Sequence, residues 1–324
     1  MDVGGQAVIE GVMMRSPKAM AIACRKPSGE VVVKEEVWRS ITGRLKFLRW
    51  PFFRGTVVFA EAMVNGIQAL TYSANQALEE EEEGPLSPWA MTGTIILAMA
   101  LAVGLFVVAP HVLSLGLGRL FDAEMGVRSV AFHVIDGVIK VLFFIGYIVA
   151  ISLLKDVRRL FMYHGAEHMC IHTFEAKEPL TVAFARRHPT LHPRCGTAFL
   201  LLVLLISIAF FAVVFPFLPK PEGPGWLIQA AFIGVKILLL LPIAGCAYEL
   251  TRQAGKRPDH PLIKPLIWPG LMLQKLTTRK PTDDQIEVAL CALESTLKME
   301  AGQDNPCPVV QDRADEVREP LEAA

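Results

Sequence analysis

The chain has 324 residues, of which 52% are hydrophobic, and its 32 basic side chains balance its 32 acidic ones. The balanced charge gives no electrostatic basis for binding nucleic acid. The mean hydropathy of +0.41 is concentrated in long apolar runs, which excludes an ordinary soluble domain and predicts a membrane protein.

Residues 1–40 are predicted to form a small β-rich element. Residues 19–24 and 30–37 are rich in β-prone side chains, and the segment between them contains Pro27 and Gly29, so a hairpin is expected. The glycines of residues 4–15 either allow close approach to another segment or are ordinary turn residues. Residues 1–11 show no basic stretch before an apolar run, and we expect no cleavable signal peptide.

Residues 41–78 change to a helical pattern in which apolar and basic side chains alternate, with a break at Pro51. Such a segment is typical of amphipathic helices on an anionic membrane surface, although a core-facing helix shows a similar pattern. Residues 79–88 contain a run of glutamates followed by Gly84 and Pro85, which predicts a solvated acidic linker.

Residues 89–255 are predicted to form a four-helix membrane domain. Each apolar segment is long enough to cross a bilayer, and the segments are residues 89–110, 129–154, 196–218 and 226–250. Lys and Arg are concentrated before the first span, in the His-rich loop 155–195 and after the fourth span. This bias predicts that both termini and the His-rich loop lie on the cytoplasmic side.

Residues 256–300 are predicted to contain an interfacial segment, broken by Pro265 and Pro269, and then a C-terminal helix. Thr282 and Gln285 have the spacing of a capping box at the start of that helix. Residues 301–324 have the acidic, proline-containing composition of a disordered tail.

The strongest chemical signal lies in the loop after the second span. On a helix, His164 and His168 are one turn apart on the same face, which is the spacing that two imidazoles need to share one metal ion. With Glu167 they form the His-x-x-Glu-His order of inverted zinc peptidases, in which the glutamate acts as a base. The alternative is a surface helix with several histidines beside the membrane.

A catalytic zinc site needs a third protein ligand, and two segments offer one. Glu249, at the end of the fourth span, is the favoured candidate, and its alternative role is an ion pair with Arg252. The other segment is the loop of residues 188–196, in which we prefer His192 and Cys195. That loop supplies the third ligand, forms a separate structural zinc site or contacts lipid head groups. His172, two turns after His164, is a further candidate ligand.

Charged side chains also occur inside the predicted spans. His133, Asp136 and Lys140 share one face of the second span, and Lys236 lies near the middle of the fourth. Intramembrane charges mark either a functional pathway or packing pairs, here an Asp136–Lys140 pair or an Asp136–Lys236 bridge.

Several motifs together resemble the YqhQ-like family of bacterial multi-pass membrane proteins. They are residues 4–15 (GGQAVIEGVMMR), 164–168 (HGAEH), 192–197 (HPRCGT), 248–250 (YEL) and 273–279 (LQKLTTR). The resemblance covers residues 2–298. It implies a protein of the bacterial inner membrane in a family with a domain of unknown function, often described as metal-dependent enzymes, and it names no substrate.

The sequence thus predicts a mainly α, polytopic membrane protein with four transmembrane helices, a small N-terminal cytoplasmic β-rich element and flanking amphipathic helices. The favoured hypothesis is a zinc hydrolase in which His164, His168 and Glu249 bind the metal and Glu167 is the general base. Its substrate is a peptide or a lipid-linked molecule at the membrane. The alternative is a non-catalytic assembly factor or scaffold with a structural His/Cys/Glu cluster. Expected partners are the lipid bilayer and membrane proteins, and no nucleic acid.

Overall fold

The structure, a computed structural model, describes residues 3–41, 46–77, 88–120, 129–218, 223–257, 260–303 and 311–312. The predicted acidic linker lies outside these residues except for residue 88. The predicted tail lies outside them except for residues 301–303 and 311–312.

The N-terminal strands form an antiparallel meander of β1 (Gly4–Val8), β2 (Gly11–Arg15), β3 (Ala19–Arg25) and β4 (Val31–Val37). The short strand β5 (Gln311–Asp312) pairs parallel with β4. The predicted hairpin is β3–β4, whereas the β1–β2 hairpin was not predicted. Because β2 and β3 are buried on both faces, their side chains are apolar at nearly every position instead of alternating with polar ones.

The helices are α1 (Phe53–Ala77), α2 (Pro88–Val103), α3 (Ala109–Leu120), α4 (Val130–Ser152), α5 (Lys155–Glu175), α6 (Val182–Ala185), α7 (Gly196–Val214), α8 (Gly225–Lys256), α9 (Lys264–Thr277) and α10 (Asp283–Glu300). Among the described residues, four helical segments are long and apolar enough to cross a membrane: Thr92–Leu120, Val130–Ser152, Gly196–Phe217 and Gly225–Lys256. The protein is therefore a mainly α, multi-pass membrane protein with a small N-terminal sheet.

The first and fourth of these segments continue beyond their predicted ends. Pro110 has no backbone N–H to donate, and the π-helical turn Gly104–Val108 directly before it joins α2 to α3. In α8, Pro242 lies within the helix, which continues to Lys256.

The sheet is covered on both faces by helices outside the spans. One face packs against α5 and α10 in the largest core cluster, and the other packs against Ala69 and Tyr72 of α1. The predicted capping box of Thr282 and Gln285 forms at the start of α10. The interfacial segment is α9, where Leu273 packs with Ile148 of α4 and Leu201 of α7. These contacts bring α5 beside the beginning of α7.

The segment expected to form amphipathic surface helices contains one long helix, α1, which packs against both α8 and the sheet. At its N-terminal end, Gly55 lies against Gly245 of α8 so closely that a Cβ atom on Gly55 would be 2.9 Å from the Gly245 carbonyl oxygen. Its C-terminal half covers the sheet, while Phe53 at its beginning is exposed. Residues 42–45 of this segment lie outside the described part of the chain.

Candidate metal centre

His164 and His168 lie on one face of α5, with their ring centroids 4.5 Å apart. The helix can press against the segment after α9 because Gly165 has no side chain, and a Cβ atom there would meet the Arg279 carbonyl oxygen at 2.1 Å. This contact holds the end of α9 beside His164.

Two backbone carbonyl oxygens fix the orientation of these rings. His164 Nδ1 is 2.8 Å from the Thr277 oxygen, and His168 Nδ1 is 2.6 Å from the Thr190 oxygen. A carbonyl oxygen only accepts, so each Nδ1 carries a proton and donates. In the neutral form of each ring the lone pair is therefore on Nε2, as in protein sites where histidine binds a metal.

Cys195 completes the group. It is the N-cap residue of α7, and its Sγ atom lies 3.2 Å from His164 Nε2. One ligand atom from each of His164, His168 and Cys195 lies within 4.8 Å of the others. A tetrahedral zinc site with Zn–N and Zn–S bonds of about 2.1 and 2.3 Å spaces its ligand atoms about 3.5 Å apart. The three side chains therefore fit a zinc ion after only a small adjustment.

The charges in this group favour a thiolate. Burial opposes ionisation of Cys195, but the neighbouring His164 and His168 imidazoles hold the pKa of its thiol well below its ordinary value. Burial likewise opposes protonation of His164, and Cys195 nevertheless raises the His164 pKa to about 9. At neutral pH the His164 ring therefore carries an extra proton beside the thiolate, and a metal ion would have to displace that proton in order to bind. Thiolate and imidazole are both donors that suit zinc.

Glu167 is buried on the sheet side of α5, next to this group. Burial raises the pKa of its carboxyl, while His168 and His164 act in the opposite direction. The backbone N–H of Gly5 donates to the carboxylate. A Cβ atom at Gly5 would lie 2.8 Å from the Met13 oxygen and 2.9 Å from Glu167 Cγ, so only glycine permits this approach of β1. The carboxylate is thereby fixed in place.

Glu249, the expected third ligand, does not lie with His164 and His168 in this structure. Its carboxylate accepts two hydrogen bonds from Arg54, with Nε–Oε1 and Nη2–Oε2 distances of 2.6 and 2.5 Å. The partner is thus Arg54 and not the predicted Arg252. The close crossing of α1 and α8 at Gly55 and Gly245 brings this pair together, and Cys195 takes the position expected for Glu249.

His172, Glu175 and His192 form a second group whose ligand atoms also lie within 4.8 Å of one another. His192 Nδ1 accepts from the backbone N–H of Arg194 at 3.3 Å, and its Nε2 lies 3.3 Å from Glu175. Burial lowers the His192 pKa, so the ring is neutral and Nε2 donates. Both nitrogens are occupied. Glu175 also pairs with Arg194, and we therefore assign this group to hydrogen bonding within the loop.

The intramembrane charges form a compact cluster. Asp136 Oδ2 accepts from Lys140 Nζ and from Lys236 Nζ, each at 2.7 Å, so both predicted packing pairs occur together. Lys236 Nζ also lies 3.1 Å from Nδ1 of His111, a residue that the sequence analysis missed. His133 is buried beside the cluster, and its ring centroid is 4.6 Å from that of Phe215.

Comparison with known proteins places the chain in a family. The family described as "Protein of unknown function (DUF1385)" matches residues 50–299. The chain is 30% identical over 311 residues to the "Uncharacterized protein YqhQ" of Bacillus subtilis (strain 168), covering 92% of this chain and 93% of that protein. No solved structure matches. The chain therefore belongs to the DUF1385 family, as its resemblance to the YqhQ-like proteins predicted.

Proposed function

We propose that the protein is a metal-dependent hydrolase at the cytoplasmic face of the bacterial inner membrane, with His164, His168 and Cys195 as zinc ligands. The observation that carries this proposal is the convergence of two histidine rings and one cysteine, whose possible ligand atoms lie within 4.8 Å of one another. Three protein ligands leave one coordination position for chemistry, as in catalytic zinc sites.

The roles of the surrounding residues follow from their contacts. A bound zinc ion supplies Lewis-acid chemistry and makes water more acidic. Glu167, buried and held by the Gly5 amide, serves as the general base, because burial raises the pKa of its carboxyl and so makes the carboxylate a stronger base. The Thr277 and Thr190 carbonyl oxygens keep both imidazoles in the tautomer that exposes Nε2.

The position of the site favours a substrate at the membrane. Cys195 directly precedes the Gly196–Phe217 span, so the ligands lie at the boundary of the bilayer. The Lys and Arg bias of the sequence favours the cytoplasmic side. We infer that the substrate is a membrane-embedded peptide or a lipid-linked molecule.

Metal removal tests this proposal. The detergent-purified protein, reloaded with zinc, should hydrolyse members of a panel of membrane-anchored peptides and lipid-linked esters. Turnover should disappear after chelation and return when zinc is restored, because the nucleophile depends on the metal. A Glu178→Gln variant provides a matched control, since Glu178 pairs with His188 at 2.8 Å and belongs to neither candidate group. Turnover that survives complete chelation would contradict a metal-dependent reaction.

A non-catalytic scaffold is the second candidate, and the loop network favours it. Glu175 at the end of α5 pairs with His192 and Arg194 of the loop. The Glu178–His188 pair adds a contact within the loop. X-ray absorption of the zinc-loaded protein discriminates the two functions. Three protein ligands and one water favour hydrolysis, whereas four protein ligands favour a structural site.

A further inference from the structure

A cationic cavity lies at the edge of the sheet, away from the proposed zinc ligands. The cavity has a volume of about 340 Å³. The β1–β2 and β3–β4 hairpin turns meet the C-terminal end of α1 and the N-terminal part of α5 around it. It is lined by Glu10, Arg25, Lys26, Pro27, Gly29, Ala77 and Arg159. This volume lies at the lower end of the range for small-ligand sites and accommodates a phosphate group.

The lining carries an excess of positive charge. The lining contains three cationic side chains and the carboxylate of Glu10, which pairs with Arg159 and accepts from the Tyr163 hydroxyl at 3.3 Å. Outside the lining, the Glu287 carboxylate lies 3.8 Å from Arg25 Nη2, which also donates to the Asp284 oxygen. Arg25 Nη1 donates to the Gly29 oxygen at 3.0 Å, which orients its guanidinium. Its Nε atom is buried without a hydrogen-bond partner among the described residues. The net formal charge of the lining side chains is thus positive, and guanidinium groups suit phosphate oxygens.

The cavity also lies close to the end of a membrane-spanning helix. Leu154, whose side chain is exposed, lies two residues after the second span and is the N-cap residue of α5. Arg159 comes five residues later, so it is at most about 8 Å further along the helix. The head-group layer on each side of a bilayer is about 5–8 Å thick. Arg159 can therefore reach the depth of lipid phosphates.

We propose that this cavity binds a phosphate group through Arg25, Lys26 and Arg159. The phosphate belongs to an anionic phospholipid head group at the same membrane surface or to a free phosphate compound, since both present the same oxygens. The Glu10 carboxylate competes for Arg159 and so limits the affinity of the site.

Binding to the full-length protein in neutral detergent tests the proposal, with short-chain phosphatidylglycerol, phosphatidylcholine of the same chain length and inorganic phosphate as the probes. Arg159→Gln and Lys26→Gln should each weaken phosphatidylglycerol binding about fivefold, the effect of one surface cation on an anionic lipid. Glu10→Gln should tighten binding, because it removes the carboxylate that pairs with Arg159 and so frees that guanidinium. Arg187→Gln, which changes an exposed cation outside the cavity lining, should leave binding unchanged.

If inorganic phosphate binds and its affinity changes in the variants as described, the ligand is a free phosphate compound. If only phosphatidylglycerol binds, the ligand is a lipid head group. Equal binding of phosphatidylcholine, or wild-type affinity in both Arg159→Gln and Lys26→Gln, would overturn the site. If Arg159→Gln or Lys26→Gln folds poorly, Glu10→Gln still tests the proposal. Weaker binding by Glu10→Gln would also overturn the proposed site.

Discussion

Glu167→Gln is expected to lower the zinc-dependent turnover by about 10²–10⁴-fold, the usual contribution of a general base, without lowering the zinc content. Glutamine has nearly the same size and keeps an oxygen for the Gly5 amide, so the contact between α5 and β1 is preserved. It has no carboxylate to accept a proton. Turnover and zinc content should be measured on the same preparations.

Glu178→Gln is the matched control for this change. It makes the same chemical change at a carboxylate that contacts His188 in the neighbouring loop, and its turnover should stay close to that of the wild type. If Glu167→Gln retained turnover within about twofold of the wild type, Glu167 would not be the base. If it lost both turnover and zinc, Glu167 would support the ligands instead.

Asp136→Asn is expected to destabilise the protein by about 3–5 kcal/mol, the usual cost of removing one partner from a buried charge cluster. Asp136 is the shared acceptor of Lys140 and Lys236, and all three side chains are almost completely buried. Asparagine would leave both ammonium groups without the carboxylate that they share. Equilibrium unfolding in detergent measures the free-energy difference.

Lys140→Met provides the comparison for Asp136→Asn. It removes one of the two cations and leaves the Asp136–Lys236 pair at 2.7 Å intact, so its cost should be clearly smaller. An equal or greater loss of stability in Lys140→Met would show that packing, and not charge balance, controls this cluster.

The spans and the pairing of His164 with His168 were predictable because their signals are local. A helix in lipid must satisfy its own backbone and carry apolar side chains throughout, which is visible in any window of about 20 residues. His164 and His168 meet because helix geometry places residues four apart on one face. Both predictions need only the helix period.

The remaining parts of the site depend on contacts between distant segments. Glu249 and Arg54 are 195 positions apart, and no local pattern indicates that α1 crosses α8. Pro189 and Pro193 interrupt the loop before Cys195, so its path could not be derived from a helix period. The glycines of residues 4–15 were left with two roles, and the structure shows close approach at Gly11, where a Cβ atom would lie 2.1 Å from the Ala23 oxygen.

Zinc content of the detergent-purified protein tests the central claim most directly. The proposed centre predicts about one zinc ion per wild-type chain and its loss in His164→Ala, His168→Ala and Cys195→Ala. Glu249→Gln should retain the ion, because that carboxylate pairs with Arg54. Absence of stoichiometric zinc in the wild type after reloading, or retention of zinc in Cys195→Ala with loss in Glu249→Gln, would contradict this metal centre.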